Sequence, residues 1–177
     1  PYGRQDKRIT NQSCFALQVF SMVLMMFDEV TTFDLHNPSS LSEFEFIKNV
    51  MPTEKIKAII EEHNVDSLVF PDKGALARYG SLVSNIETFS ADKVRDQLTG
   101  DITGLKMDTS PKEGAIILVQ DDICDGGRSF TELAKLLLSL NPSKLILYVS
   151  HGIFSKGTQC IFDSGYTHIY TKDGAIT

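Results

Sequence analysis

Basic residues and cysteines are both scarce in this chain, and each scarcity excludes something. Of 177 residues, 17 are Lys or Arg against 23 Asp or Glu, giving a formal net charge of −6 at pH 7. Such a surface has no footprint for nucleic acid, so any phosphate binding has to be local and specific. The three cysteines, Cys14, Cys124 and Cys160, are too widely spaced for a zinc pattern and cannot all pair with one another. They read as reduced thiols, which points to the cytoplasm. No apolar run approaches a membrane span, no signal-peptide pattern is seen, and internal repeats and low-complexity tracts are lacking. An initiating methionine is lacking too. The chain opens at Pro1 inside what reads as a structured segment, and the expectation is a fragment. Apolar residues make up 42% of the chain, enough for the core of one ordinary domain, or one plus part of another.

What is present is organised around residues 115–140. Ala115-Ile116-Ile117-Leu118-Val119 has the length and branching of a buried strand in a parallel sheet. Asp121 and Asp122 follow at once, then Asp125, then Gly126-Gly127-Arg128-Ser129. A helical pattern comes next, with Phe130, Leu133, Leu136 and Leu137 on one face. Strand, acidic and glycine-rich turn, helix is the layout of a phosphate site outside the carboxyl end of an open α/β sheet. The glycines let backbone N–H groups turn toward an anion, and Ser129 adds a hydroxyl. Bare carboxylates would repel phosphate, so three of them beside the cradle call for sugar hydroxyls or a bridging Mg²⁺. The stretch reads as a phosphosugar site.

Elsewhere the pattern alternates. Residues 12–27 are helical in period, with Phe15, Val19, Phe20, Val23 and Leu24 inward and Met22, Met25 and Met26 as core filler. A β-rich run, Glu29 to His36, ends in a histidine that is either a structural turn group or a site residue at a strand's carboxyl end. Residues 37–52 have no clear period and read as a connection. Thr53–His63 is a short amphipathic helix, and Ser67–Phe70 a buried strand closed by Pro71-Asp72-Lys73-Gly74. Asp72 is an N-cap for a helix over Lys73 to Tyr79, with room for a second role. Asn85 to Phe89 and Lys144 to Val149 read as strands, residues 154–164 as a helix, and His168 to Tyr170 as a last short strand. Between 90 and 107 lies a polar hairpin carrying Lys93 and Arg95, in form a surface flap. His151, after its strand, reads as a hydrogen-bonded strand-end residue. The fold class expected is α/β, a doubly wound parallel sheet.

The run DDICDGGRS resembles the phosphoribosyl-pyrophosphate (PRPP) loop D-D-x-x-[DS]-[TG]-x-G-[TS], shared by type I phosphoribosyltransferases and PRPP synthetases. Asp121, Asp122, Asp125, Gly126 and Ser129 match it, and Arg128 stands where the pattern has glycine. The loop alone does not choose between the two classes. PYGRQDK is similar to the Y-x-R-Q-D-[RK] segment of the synthetases, DLHNP to their D-L-H motif, and Lys93-Val94-Arg95 to the K-x-R of their catalytic loop. The turn at 71–78 resembles P-D-x-G-G-x-x-R, with Ala75 for the second glycine, and residues 150–155 resemble T-H-[PG]-[VI]-[FL]-S. Together, in family order, these motifs identify the resemblance as one to the PRPP synthetase (ribose-phosphate pyrophosphokinase) family.

That resemblance implies transfer of pyrophosphate from ATP to the C1 hydroxyl of ribose 5-phosphate, giving PRPP and AMP. It implies a 5-phosphate cradle at Asp125, Gly126, Gly127, Arg128 and Ser129, with Asp121 and Asp122 on ribose hydroxyls. Arg4, Gln5 and Asp6 would line the ATP pocket, Asp72 and His36 would meet Mg²⁺, and Lys93 and Arg95, with His36, would face the reacting phosphates. Arg128 either crowds the loop or reaches the 5-phosphate. An outward pose is favoured, because backbone amides do the cradling. Residues 1–40 would be the end of a first phosphoribosyltransferase-like domain and 41–177 a second, in a homo-oligomer without nucleic-acid or membrane partners. The competing readings are a phosphoribosyltransferase acting on PRPP, and a non-catalytic regulatory homologue that binds synthetase subunits.

Overall fold

A computed structural model describes residues 15–38, 44–95 and 102–176. The chain divides into two compact units, Pro1–Pro52 and Thr53–Thr177.

In the first unit, helix α1 (Phe15–Leu24) precedes strands β1 (Val30–Phe33) and β2 (Ile47–Val50). The strands pair in parallel, from Val30 opposite Ile47 to Phe33 opposite Val50. Strand β2 falls within the stretch expected to be connection, and this unit runs to Pro52, where a boundary at 40/41 was expected. The pattern was hidden because β2 is only four residues long and neither of its faces is fully buried. Asn49 ties the pair together: its side-chain oxygen accepts from the Leu35 amide at 3.0 Å and lies 3.3 Å from the Thr32 hydroxyl. On α1 the inward apolar stripe is not observed. Val19 and Val23 are exposed, and Met22, Met25 and Met26 are 69%, 64% and 82% exposed, so these methionines are not core filler here.

The second unit follows the expected alternation. Its elements are α2 (Thr53–His63), β3 (Ser67–Phe70), α3 (Lys73–Tyr79), β4 (Glu87–Ser90), β5 (Asp92–Arg95), β6 (Ile102–Lys106), β7 (Ile116–Cys124), α4 (Arg128–Leu138), β8 (Lys144–Gly152), α5 (Gln159–Asp163), β9 (His168–Thr171) and β10 (Gly174–Ile176). Six strands form one sheet in the order β10-β9-β8-β7-β3-β4. All its pairings are parallel except the edge pair of β9 and β10. Central strands buried on both faces explain why β3, β7 and β8 read as unbroken apolar runs. One face packs Val69, Val119, Leu147 and Val149 against Phe130, Leu133 and Leu137 of α4 and Ile161 of α5. Strands β5 and β6 pair apart from this sheet as an antiparallel hairpin.

Two expectations shift. Strands β7 and β8 run on through 124 and 152, so the paired acids lie inside a strand and not in the turn after it. The helix expected over 154–164 shrinks to Gln159–Asp163, because Phe154 (φ +47°) and Gly157 (φ +74°) adopt left-handed conformations that no helix accommodates.

At the amino end of the sheet a polar chain joins α2 to the edge strands. His63 Nε2 lies 2.7 Å from the Tyr170 hydroxyl, which donates to Glu62 Oε1 at 3.1 Å. His63 Nδ1 lies 3.4 Å from Lys144 Nζ, and its ring packs 4.6 Å from that of His168. A charged lysine requires Nδ1 to accept, so the arrangement selects the neutral imidazole protonated on Nε2. Burial first, then His168, lower the His63 pKa below 6.5. A pKa below the unfolded value means the folded chain binds fewer protons, so this stabilisation is full above pH 6.5 and is lost as pH falls through the folded value. The gap in unfolding free energy between the wild type and His63→Phe, measured by urea titration, should therefore move in the variant's favour as pH drops from 7.5 to 5.5. A constant gap would contradict the neutral, buried imidazole.

Candidate phosphosugar-binding site

Because β7 persists through Cys124, its successive side chains alternate faces. Asp121 shares a face with Val119, while Asp122 shares the opposite one with Leu118 and Gln120. Their environments differ accordingly. Asp122 is 3% exposed, with one carboxylate oxygen 3.2 Å from Nη1 of Arg78 in α3. Arg78 in turn lies 5.4 Å over the Tyr79 ring, which stacks on Phe70. Burial works against the Arg78 cation, but Tyr79 and Asp122 more than offset it, and its pKa is raised.

Among the described residues, no such cation pairs with Asp121. Burial first, and the adjacent Asp122 charge second, push its pKa up to about 8, with Asp72 adding to the same effect. One of its oxygens accepts from the Asp122 amide at 2.9 Å. The strand end thus carries one carboxylate held against a cation and one carboxyl that burial and its acidic neighbour bias toward the protonated form.

The loop after β7 is built against a second loop. The Cys124 carbonyl accepts from the amides of both Ile153 and Phe154, at 2.8 and 3.1 Å. Gly127 is left-handed (φ +76°) and stands at the N-cap position of α4, its carbonyl accepting from the Phe130 and Thr131 amides. A β-carbon there would lie 3.3 Å from Ile161 Cγ1 and 3.6 Å from Cys160 Sγ, so conformation and packing both call for glycine. Asp125, Arg128 and Ser129 are exposed around this turn, and Gly126 is half-buried. The exposed Arg128 accords with the outward pose. Cys124, at the root of the loop, is buried, and burial raises its pKa to about 12, so it is an inert thiol.

Asp72 does cap α3, its Oδ1 accepting from the Ala75 amide at 3.1 Å. Its other oxygen lies 3.5 Å from Lys93 Nζ on β5, and Lys73 pairs with Asp92 at 2.8 Å, so the hairpin is tied to the start of α3 by two ion pairs. Two of the predicted site residues, Asp72 and Lys93, are thus in contact. Arg95 ends β5, but its side chain lies outside the described residues, as do Arg4, Gln5 and Asp6. His36 belongs to the first unit and is half-buried beyond β1. Among the described residues, no group of three or more His, Cys, Asp or Glu side chains gathers as a metal site.

Sequence reasoning missed Arg78, although it occupies the last position of the P-D-x-G-G-x-x-R pattern. Its role appears only once β7 is seen to turn Asp122 toward α3. A separate cavity of about 590 Å³ opens at the other end of the sheet, lined among others by Ser67, Glu87 and Ala115, and contains none of the predicted residues.

The fold is that of the type I phosphoribosyltransferases. A PRPP synthetase from Mycobacterium smegmatis superposes over 97% of this chain and 58% of its own, with a TM-score of 0.78 and 21% identity. An adenine phosphoribosyltransferase from Saccharomyces cerevisiae does so over 76% of this chain and 79% of its own, with a TM-score of 0.51 and 17% identity. In sequence the chain is similar to ribose-phosphate pyrophosphokinases. It is 28% identical to the one from Pyrococcus abyssi over 88% of its length, and 28% identical to the one from Methanopyrus kandleri over 97%. It spans 56% and 61% of those two proteins, somewhat over half of each. No family model matches the chain.

Two consequences of the unequal carboxylates are measurable. Arg78→Met strands a buried charge on Asp122 and should cost about 3 kcal/mol in urea unfolding, most of it recovered in the Arg78→Met/Asp122→Asn double variant. For Asp121 the folded pKa lies above the unfolded 3.8. The resulting destabilisation grows with pH above that value and is complete past about 8. Asp121→Asn should therefore stabilise the chain more at pH 9 than at pH 5. An equal effect at both would mean Asp121 is an ordinary carboxylate.

Proposed function

We propose that this chain carries the ribose 5-phosphate side of a ribose-phosphate pyrophosphokinase. The observation that carries the reading is the asymmetric acid pair at the end of β7, directly before a left-handed glycine that opens α4. Phosphate needs exposed amides at a helix start, and a ribose needs hydroxyl partners a few ångströms away. One short segment offers both.

In the proposed reaction the C1 hydroxyl oxygen of ribose 5-phosphate attacks the β-phosphorus of ATP. The bond from that phosphorus to the oxygen bridging it to the α-phosphate breaks, AMP leaves, and the hydroxyl proton is lost. The amides of residues 126–129 and the Ser129 hydroxyl hold the 5-phosphate. Asp121 engages ribose hydroxyls, and Asp122, fixed by Arg78, keeps the strand end in place beside it. Lys93 and Arg95 bring positive charge to the transferring group, where catalysis rests on positioning and charge neutralisation. Mg²⁺ would supply further neutralisation of the nucleotide phosphates. The protein's share of its coordination fits the hard, sparse donor set this ion takes, since the half-exposed Asp72 is one carboxylate and substrate phosphates would provide the rest. The roles of Arg4, Gln5, Asp6 and His36 toward ATP and metal rest on the resemblance alone. A homo-oligomer in the cytoplasm is part of the same proposal.

Titration calorimetry of the chain with ribose 5-phosphate and Mg²⁺, beside Asp121→Ala, tests the reading. Binding that weakens at least tenfold in the variant is expected, a loss of about 1.4 kcal/mol. A folded chain that does not bind ribose 5-phosphate would remove the proposal and favour a non-catalytic homologue. Turnover of PRPP with a free base, and none of ATP with ribose 5-phosphate, would favour a phosphoribosyltransferase.

A further inference from the structure

We infer that Lys156, outside every motif described above, is a phosphate-recognition residue that caps the 125–129 loop. The inference rests on the ribose 5-phosphate reading of that loop. The segment from Gly152 to Ile161 is folded over the loop by a series of local devices. A β-carbon on Gly152 would fall 2.0 Å from Phe154 Cε2, so the Phe154 ring lies directly on the glycine backbone. That seat goes with the left-handed Phe154 (φ +47°), a conformation a bulky residue adopts only when its surroundings hold it there. The turn is closed by the Gly157 amide donating to the Phe154 carbonyl at 2.7 Å, and it is pinned to the loop by the two amide bonds into the Cys124 carbonyl.

The outcome is a lysine delivered over a glycine. The Cε and Cδ atoms of Lys156 lie 3.8 and 3.9 Å from where a β-carbon on Gly126 would stand. The ammonium is one bond further along this exposed side chain. The loop's own cation, Arg128, is exposed with an outward pose, Arg78 is engaged by Asp122, and Lys93 by Asp72, so an added cation is favoured beside Asp122 and Asp125. Backbone amides alone would meet a phosphate dianion with partial charges only, so a mobile ammonium complements them and shields the ligand from the acids. The bare alternative is a lysine stem resting on apolar surface with its head in water.

The two separate in calorimetry of the full chain with Mg²⁺, using ribose 5-phosphate and, in parallel, ribose. Lys156→Ala should raise the dissociation constant for ribose 5-phosphate about tenfold and flatten its salt dependence. Lys156→Arg should keep most of the affinity, and ribose binding should be the same in all three proteins. As a second readout, ribose 5-phosphate should slow acylation of Lys156, but not of Lys135, as followed by mass spectrometry. Wild type and Lys156→Ala binding ribose 5-phosphate equally, with Lys156 unprotected, would overturn the assignment while leaving the loop's reading intact. No binding by the folded wild type would overturn that reading, and this inference with it.

Discussion

The site depends on β7 remaining a strand for nine residues, through both aspartates to Cys124. Asp122 is held by Arg78 of α3, while among the described residues no cation pairs with Asp121. The two acids still interact, and burial first and the Asp122 charge second raise the Asp121 pKa. Burial would act on any carboxylate there, and Asp122, though paired, still presents charge one residue away. The pairing of β7 with β8 from Ile116 through Cys124 holds the strand straight over this stretch. The edge of the site is therefore set by the sheet, which is stiffer than a loop could be.

The same strand extension sets up a second constraint. Cys124 offers its carbonyl to two amides of the loop after β8, so the loops at the ends of the central strands are joined and not separately mobile. Glycines stand where the two come closest. Gly127 meets Ile161 and Cys160, and Gly152 meets the Phe154 ring. The construction costs stability. Phe154 in a left-handed conformation costs about 1–2 kcal/mol, and the Gln120 amide, 1% exposed with neither polar atom hydrogen-bonded among the described residues, costs about 1–3 kcal/mol.

Much of the second unit could be read from the chain because its signals are local. Thr53–His63, Ser67–Phe70 and Lys73–Tyr79 form as expected, and the Asp72 cap is present with the hydrogen bond its position called for. The glycine turn before α4 was equally legible, with Gly127 at the cap of that helix. What could not be read was set by partners distant in sequence. Whether Asp121 and Asp122 lie in a strand or a turn depends on how far β8 extends beside them. Arg78 is unremarkable until that is known, and β10 is too short to announce itself. The helix expected from 154 failed because Phe154 follows a packing demand from Gly152 instead of its propensity. In the first unit the apolar period of α1 was real, but it does not translate into burial within this chain.

The contact between Asp72 and Lys93 bears on how such a site could work. Both side chains are substantially exposed, at 46% and 38%, and their separation of 3.5 Å is long for a charge-assisted bond. A pair of this kind contributes between nothing and about 1 kcal/mol, so an incoming polyphosphate can take over the lysine at little expense. The same exchange would free the aspartate for a cation travelling with that polyphosphate. By contrast, Arg78 and Asp122 are buried, and separating them would strand a charge at a cost of several kcal/mol, so no ligand displaces them. The two ion pairs thus divide by burial into one that could open at little cost and one that could not, which makes Arg78 part of the scaffold.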